Sequence, residues 1–534
     1  MPKNYSDWSK DELVRELKKA EKRKKYGIVW EDKPEVVAER CKNELPVLAE
    51  DKNKKIVTDK NKPNNILIEG DNYHALSVLN YTHKGKIDII YIDPPYNTGN
   101  GEGFIYNDKI VDREDSFRHS KWISFMNKRL KLSKNLLKKN GVIFISIDDN
   151  EIAQLRLLCD DIFGEENFAG IICWKHRHSI SNDLLISQNH NFILLYAKSF
   201  KSLFNNRKNF RLEKDFLGFS NPDKDSNGPY KLTPVDGPGG ARKGNPHYEF
   251  LGINGYWRYS KETMQELYDK GQIIKRGKTL ARKYYLKDAK ENGGKVVTTW
   301  WDDVGTTTEG TRTLNDMIGE GKFNNPKPVS LLRRVVQLAS DKQGTILDFF
   351  AGSGTTAHAV LDMNKEDGGK RKFILCTNNE NDICTEVCYP RVKKVIQNLE
   401  KESKNKLVKN MPGNLKYFKT DFVDAEPTDK NKRKMVEKST EMLCLREDCF
   451  DEVMQGHNFR IFTNSQGKNL GIIYDDDGIE PFKKEAKKLK KDFIVYVFSL
   501  DESVREEEFE DVKKLVELKP IPAVILNVYK RIFK

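Results

Sequence analysis

The sequence predicts an α/β protein built on a mainly parallel sheet, and three observations carry that prediction. From residue 66 onward, short isoleucine-rich runs alternate with amphipathic stretches, the pattern of strands joined by crossover helices. Two of these runs end in unusual turns: Ile87–Ile92 leads into Asp93-Pro94-Pro95-Tyr96, and Thr345–Phe350 into Ala351-Gly352-Ser353-Gly354. Between the two turns the alternation weakens over about 200–325. Gly and Pro cluster there, as in Gly228-Pro229 and Asp236-Gly-Pro-Gly-Gly240, so a loop-rich inserted domain is expected.

In chain order, Ser9 and Glu12 form a capping box ahead of Leu13 and Leu17, and Gly27 is placed to end that helix. Lys22–Lys25 reads as its solvated end, with phosphate contact as the alternative. Gly27 to Lys62 is polar and irregular, punctuated by Pro34 and Pro46, with Pro63 just beyond. Ile66–Ile68 then reads as a buried strand, Gly70-Asp71-Asn72 as its turn and Tyr73–Tyr81 as a helix. After the strand Ile87–Ile92 come a helix over 121–139 and a strand over Gly141–Ile147. Asp148-Asp149 either lines a site or caps the next helix. His190 tops a strand at Phe192–Leu195. Beyond the insert, Thr345–Phe350 and Lys372–Thr377 resume the sheet. From about 400, Lys-rich helices and the strands Gly471–Tyr474 and Phe493–Phe498 read as a separate C-terminal α/β domain. The expected division is a helical arm at 1–62, sheet segments at 63–200 and 320–400, the insert at 201–319 and the C-terminal domain at 401–534.

The 534 residues carry 93 Lys and Arg against 80 Asp and Glu, a net charge of +13. Residues 201–300 alone hold 20 basic against 11 acidic side chains, interleaved with Tyr230, Tyr248, Tyr256, Trp257, Tyr259, Tyr284, Tyr285 and Trp300. Basic and aromatic residues together suit phosphate contact and base stacking, with a merely solvated face as the alternative. Arg207, Arg242, Arg258, Arg276 and Arg282 are available for bases or phosphates. No run nears the roughly 18 apolar residues of a membrane span, and the N-terminus lacks a signal-peptide core, so a cytoplasmic location is expected. Of the eight cysteines only Cys384 and Cys388 lie four apart, with no second pair, so no metal site is expected. His176, His178 and His190 suit structure or nucleic-acid contact better than metal binding or base catalysis.

Asp93-Pro94-Pro95-Tyr96 sits where open α/β sheets bind ligands, at the carboxyl end of a strand. Prolines at 94 and 95 remove two backbone donors and stiffen the turn, leaving a carboxylate and a carbonyl as acceptors. Two acceptors aimed at one point suit an aromatic amine, and hydrogen bonds from both of its N–H groups favour attack on a methyl cation donor. Tyr96 offers a ring against which an extracted base stacks. A bare strand-ending turn with a buried tyrosine is the structural alternative. In the second turn, Gly352-x-Gly354 allows close backbone approach, and the helix starting near Thr355 favours an anion. The third glycine of a dinucleotide fingerprint and the Gly-Lys-Ser/Thr of a P-loop are missing. S-adenosylmethionine, with its carboxylate and adenosine, fits what remains.

Asp-Pro-Pro-Tyr upstream of Phe-x-Gly-x-Gly, with an insert between, resembles the permuted (β-group) amino-methyltransferases of DNA. The resemblance extends to the modification (Mod) subunits of type III restriction–modification systems. Tyr26–Glu31, Ile68–Asn72, Tyr91–Gly99, Ser120–Met126, Asn221–Asp225 with Gly228-Pro229, Asn325–Pro328, Thr377–Asn381, Tyr389–Arg391 and Glu441–Leu443 carry it in order over most of the chain. It implies a Rossmann-like methyltransferase domain split around a target-recognition domain, acting on adenine N6 of double-stranded DNA. Asp93, Pro94, Pro95 and Tyr96 would then hold a flipped base. Asp71, Asp348, Phe350, Gly352, Gly354 and Thr355 would hold the methyl donor, with Asp71 near its adenine. Lys327 and Pro328 would close over its methionine end, and Asn378 and Glu380 would meet its ribose. It further implies a homodimer, a helicase–nuclease (Res) partner, and a C-terminal domain for dimer or partner contacts. The loop Asn100–Phe104 is richer in glycine than the family pattern. A solitary methyltransferase, cytosine-N4 chemistry and a non-catalytic DNA-recognition subunit remain the alternatives.

Overall fold

The computed structural model describes residues 8–21, 27–59, 62–99, 104–107, 109–182, 185–212, 218–291, 294–404, 413–500, 503 and 505–533. It divides into two compact units: Asn206–Val297, and residues 1–205 together with 298–534. Lys22–Lys25 and residues 100–103 of the glycine-rich loop lie outside the described residues.

The larger unit is organised by one ten-stranded sheet. Its strands are β1 (Glu44–Glu50), β2 (Asn64–Glu69), β3 (Ile87–Ile92), β4 (Leu137–Ile147), β5 (Phe168–Lys175), β6 (His190–Ala197), β7 (Trp300–Trp301), β8 (Thr345–Asp348), β9 (Lys372–Thr377) and β10 (Asn414–Asp424). The spatial order is β1-β10-β2-β9-β8-β3-β4-β6-β5-β7. From β10 to β4 all neighbours are parallel, whereas β6 runs antiparallel to β4 and β5. Ile87, Ile89, Ile90 and Ile92 are wholly buried, as strands covered on both faces require, which is why β3 reads as a continuous apolar run. From β8 the chain crosses through the helix Thr355–Asp367 to β9. From β3 it crosses through Arg118–Leu136 to β4, on the other side. The boundary between β8 and β3 is therefore the point where strand order reverses, and clefts open there.

Two local departures from the expected pattern have physical causes. The segment 27–62 contributes β1, which pairs antiparallel with β10 and buries Val47 and Leu48. Pro46 is tolerated because β1 is an edge strand with one side unpaired. The helix expected to reach 139 ends at Leu136, and Lys138 extends instead to ion-pair with Asp88 at 2.7 Å. Near the N-terminus, the Glu12 N–H donates to the Ser9 hydroxyl while the Ser9 N–H donates to Glu12, so the capping box forms.

The C-terminal part joins the larger unit rather than standing apart. β10 is an internal strand, and Leu470, Tyr496, Ile521 and Tyr529 share the main hydrophobic core with the helix Asn72–Thr82. A five-stranded sheet closes this end, its last three strands parallel. Lys483, on the Lys-rich helix Ile479–Leu489, is buried and ion-paired with Asp511 at 2.9 Å. All eight cysteines are free thiols, and among the described residues no helix is long and apolar enough to cross a membrane.

The smaller unit spans a narrower stretch than 201–319, since the helix Thr307–Ile318 belongs to the larger one. It holds a three-stranded antiparallel sheet (Tyr230–Pro234, Ile273–Arg276, Thr279–Tyr285) and a hairpin of His247–Phe250 with Ile253–Tyr256. Val235, Phe250, Trp257, Met264, Ile273 and Leu280 form its core. Several aromatics expected to meet bases are thus interior: Tyr230, Trp257 and Tyr285 are buried, while Tyr256 is exposed. Asp223 and Asp225 both ion-pair with Lys283, and the Tyr285 hydroxyl donates to Asp225 at 2.8 Å. The Asn221–Asp225 motif is therefore a clasp that fixes this small unit. Arg258 and Arg282 are engaged by the Asp236 carbonyl and the Tyr259 hydroxyl; Arg242 and Arg276 are exposed.

Candidate active site

The two turns at the ends of β3 and β8 open onto two adjoining cavities. The larger, about 750 Å³, is lined by Asp93–Thr98, Asp148, Asp149, His176, Arg177, His190, Lys327 and Gly352 among others. The smaller, about 350 Å³, is lined by Glu35–Val37, Asp71, Asn72, Phe125, Arg129, Phe349 and Glu380 among others. Pro95, Phe350, Thr377 and Asn378 line both, so the cavities meet between the two strand ends.

On the β3 side, Trp122 is wholly buried on the helix Arg118–Leu136, and its indole N–H donates to the Pro95 carbonyl at 2.7 Å. That bond fixes a turn already stiffened by its prolines. The Tyr96 hydroxyl donates to Asp93 at 2.7 Å, and Lys327 ion-pairs with the other Asp93 oxygen. Burial, and then the Asp93 charge, push the Tyr96 hydroxyl well above its ordinary range, so the ring stays neutral. Asn97 takes a left-handed conformation (φ 55°), and its amide donates to Glu151, which is wholly buried. Burial raises the Glu151 carboxyl to about 8.

On the β8 side the backbone turns through left-handed glycines, Gly352 at φ 48° and Gly354 at φ 75°. A Cβ on Gly354 would stand 3.1 Å from the Cys388 sulfur, so shape as well as conformation demands glycine. Asp348 is buried, accepting from the Thr356 hydroxyl and from the Phe350 N–H at 3.1 Å. Burial raises its carboxyl to about 7. Arg391, wholly buried, donates to the Ser353 hydroxyl at 3.0 Å and the Thr355 hydroxyl at 2.7 Å. The loop is thus clamped from within by an aspartate and an arginine.

Asp71 caps the helix Asn72–Thr82 by accepting from the Tyr73 N–H at 2.7 Å, and Asn72 donates to the Phe349 carbonyl at 3.0 Å. Arg129, wholly buried, ion-pairs with Glu35 at 2.7 Å and Asp71 at 3.4 Å and stacks on Phe125. The second Glu35 oxygen is buried and meets no donor among the described residues.

Of the residues singled out in the sequence, Asp93, Pro94, Pro95, Tyr96, Lys327, Phe350, Gly352, Asp71, Asn378 and Glu380 line one or both cavities. Pro328, Asp348, Gly354 and Thr355 line neither: Pro328 precedes the helix Val329–Ala339, and the other three shape the glycine turn. Asp148 and Asp149 line the larger cavity, and Asp148 also caps a turn by accepting from the Asn150 N–H at 2.9 Å. His176 and His190 line it too, and burial lowers His176 to about 4, leaving it neutral at pH 7. Glu35, Arg129 and Glu151 lie outside the stretches that carry the resemblance, and Phe125 lies within Ser120–Met126 without being marked by it. Arg129 alone betrays itself, as a cation on the apolar stripe of Trp122, Met126 and Leu130. Among the described residues no cluster of His, Cys, Asp and Glu is arranged to hold a metal.

Comparison with known proteins gives findings of three kinds. The DNA methylase family profile matches residues 87–389. The StyLTI Mod subunit, a type III restriction–modification enzyme of Salmonella typhimurium, is 36% identical over 62% of this chain and 55% of its own length. The chain therefore spans little more than half of that relative. The type II methyltransferase M.KpnI of Klebsiella pneumoniae is 32% identical over 66% of this chain and 90% of its own length. Among solved structures, the cytosine-N4-specific PvuII DNA methyltransferase aligns over 65% of this chain and 96% of its own, at 11% identity and a TM-score of 0.32.

Proposed function

The chain belongs to the DNA methylase family, and from that premise we propose that it moves the methyl group of S-adenosylmethionine to the N6 amine of an adenine flipped out of double-stranded DNA. The observation that carries the reading is the Asp93–Tyr96 turn, facing a 750 Å³ cavity beside a glycine loop at the switch point of the sheet.

The residues present fit the donor. Phe125, Phe350 and Pro95 give the smaller cavity flat apolar walls, and the unpartnered Glu35 oxygen awaits a donor hydrogen. Asp71 and Glu35 would hold the adenine end, Asn378 and Glu380 the ribose, and Gly352 with Lys327 the methionine end. Asp348, Gly354 and Thr355 serve by shaping the loop, and Pro328 by starting the helix behind Lys327. S-adenosylmethionine, when bound, supplies a methyl group made electrophilic by its sulfonium. The protein's own work is orientation. Asp93 and the Pro94 carbonyl accept the two amine hydrogens, so that the nitrogen lone pair is turned toward the donor. Lys327 neutralises Asp93 before the amine arrives and gives up that place to it. Tyr96 stacks on the extracted base, and Trp122 and Pro95 keep the turn from yielding. No side chain needs a tuned pKa, since the amine proton leaves to water after transfer.

The 206–297 unit would read the target sequence, a reading supported by its excess of basic residues and by exposed Arg242, Arg276 and Tyr256. The similarity to the StyLTI Mod subunit supports a type III modification subunit of the permuted group, acting in the cytoplasm. Such a subunit would form a homodimer and work with a helicase–nuclease partner, with the C-terminal sheet offered for those contacts.

The test uses the purified protein, unmethylated DNA and S-adenosylmethionine labelled in its methyl group. Digestion to nucleosides should find the label in N6-methyldeoxyadenosine. Label in N4-methyldeoxycytidine would overturn the adenine assignment, and unlabelled DNA from a protein that binds the donor would overturn DNA as its sufficient substrate.

A further inference from the structure

We propose that Glu35 is the residue by which the smaller cavity selects an adenine nucleoside: its second carboxylate oxygen accepts a hydrogen from the donor's exocyclic amine. The inference rests on reading that cavity as the methyl donor's. It concerns a residue from the irregular N-terminal segment, far in sequence from both turns.

Glu35 is only 5% exposed, yet it lines the cavity. One oxygen ion-pairs with Arg129 at 2.7 Å, and the other is buried without a donor among the described residues. A buried acceptor without a partner is costly, and on a residue that lines a cavity that cost is relieved by a ligand that brings it a hydrogen. The carboxylate is also held in place. Arg129, wholly buried, is gripped by Asp71, Asn72 and the Phe125 ring. The next residue, Val36, donates its N–H to Asn107 at 2.8 Å, and His74 bonds the Val37 carbonyl at 2.9 Å.

Position decides which donor group it meets. The border with the larger cavity is marked by Pro95, Phe350, Thr377 and Asn378, and the reacting methyl must lie toward Asp93, across that border. Glu35 lines the smaller cavity alone, so it serves the end of the nucleoside remote from the sulfur. Ribose hydroxyls fall to Asn378, which lines both cavities, and to Glu380, which accepts from the Asn378 amide at 3.2 Å, and the α-ammonium lies at the methionine end. The adenine amine is the hydrogen donor that remains. An inosine base presents a carbonyl oxygen at that position, and a carboxylate facing it is repelled rather than bonded.

The experiment is calorimetric binding of S-adenosylhomocysteine and S-inosylhomocysteine to the full chain and to Glu35→Gln. The unaltered protein should favour the adenosyl compound about tenfold or more, the range of a charge-assisted hydrogen bond. In Glu35→Gln that preference should shrink about tenfold, because the amide donates to the inosine oxygen; a merely structural role would not move the ratio. Glu35→Asp keeps the charge beside Arg129 but withdraws the oxygen, and should lose adenosyl affinity by about tenfold with little change for the purine-riboside analogue that lacks the amine. Equal affinities in the unaltered protein, or a ratio unchanged in Glu35→Gln, overturn the proposal. Absence of any S-adenosylhomocysteine binding to the unaltered protein overturns the cofactor reading beneath it, and is told apart in the first titration.

Discussion

The turns at the ends of β3 and β8 are neighbours in the sheet and opposites in construction. One is made rigid by two prolines and an indole hydrogen bond, the other is allowed its shape by two left-handed glycines and held by buried Asp348 and Arg391. The prolines strip a turn of donors and leave acceptors for an amine; the glycines remove side chains and let a ligand approach the backbone. Adjacent parallel strands thus present complementary chemistry across a few ångströms, which a single turn could not do. The division of labour is separable by mutation.

The largest effect is expected at the acceptor turn. Asp93→Ala should lower single-turnover methylation by about a thousandfold, the scale of losing a preorganised polar contact to the reacting group. Equilibrium binding of S-adenosylmethionine should stay within a few-fold of the unaltered protein. Loss of donor binding in that variant would erase the proposed separation.

Gly354→Ala should do the reverse. A left-handed alanine costs about 1–2 kcal/mol, and its Cβ crowds Cys388 and Val392. Donor affinity and thermal midpoint should both fall, while binding to target DNA persists. Unchanged affinity would show that the loop backbone does not face the donor.

A smaller and pH-dependent effect is expected behind the acceptor turn, where Glu151 holds Asn97. The carboxyl titrates at about 8 in the folded protein and ordinarily at 4.5, so the folded state keeps a proton that the unfolded chain releases between those values. Its stability contribution is therefore present below about pH 4.5 and lost as pH rises to 8. Glu151→Gln should match the unaltered protein in thermal midpoint near pH 5 and exceed it increasingly toward pH 8. Asp348, at about 7, leaves a residual slope in both proteins. Parallel curves would contradict the raised value.

The smallest effect is set for Trp122→Phe, which keeps most of the apolar bulk but removes the donor to Pro95. A loss of about 1 kcal/mol in unfolding free energy is expected, with a modest fall in turnover and none in donor affinity.

Much of this arrangement was legible in the sequence because strand ends are local. A continuous apolar run followed by Asp-Pro-Pro-Tyr, or by Phe-x-Gly-x-Gly, states both the strand and what it carries. The resemblance to type III Mod subunits supplied the donor and the base that are proposed. Four residues expected at the donor, Pro328, Asp348, Gly354 and Thr355, line neither cavity. A motif records what a loop requires without separating the residues that touch a ligand from those that hold the loop. The pairing of Glu35 with Arg129 was illegible for the opposite reason. The two stand 94 positions apart in the chain, and no spacing rule links them. The edge strand β1 was hidden by Pro46, which argues against a strand everywhere except at an edge. In the insert, aromatic frequency suggested stacking surfaces, yet Tyr230, Trp257 and Tyr285 are buried.

The most direct test of the central claim is methylation-sensitive sequencing of genomic DNA from a host that expresses this chain alone. N6-methyladenine at one short motif, absent from cells that express Asp93→Ala at equal abundance, is the predicted result. Modification that persists in the Asp93→Ala cells, or that falls on cytosine, would contradict the account.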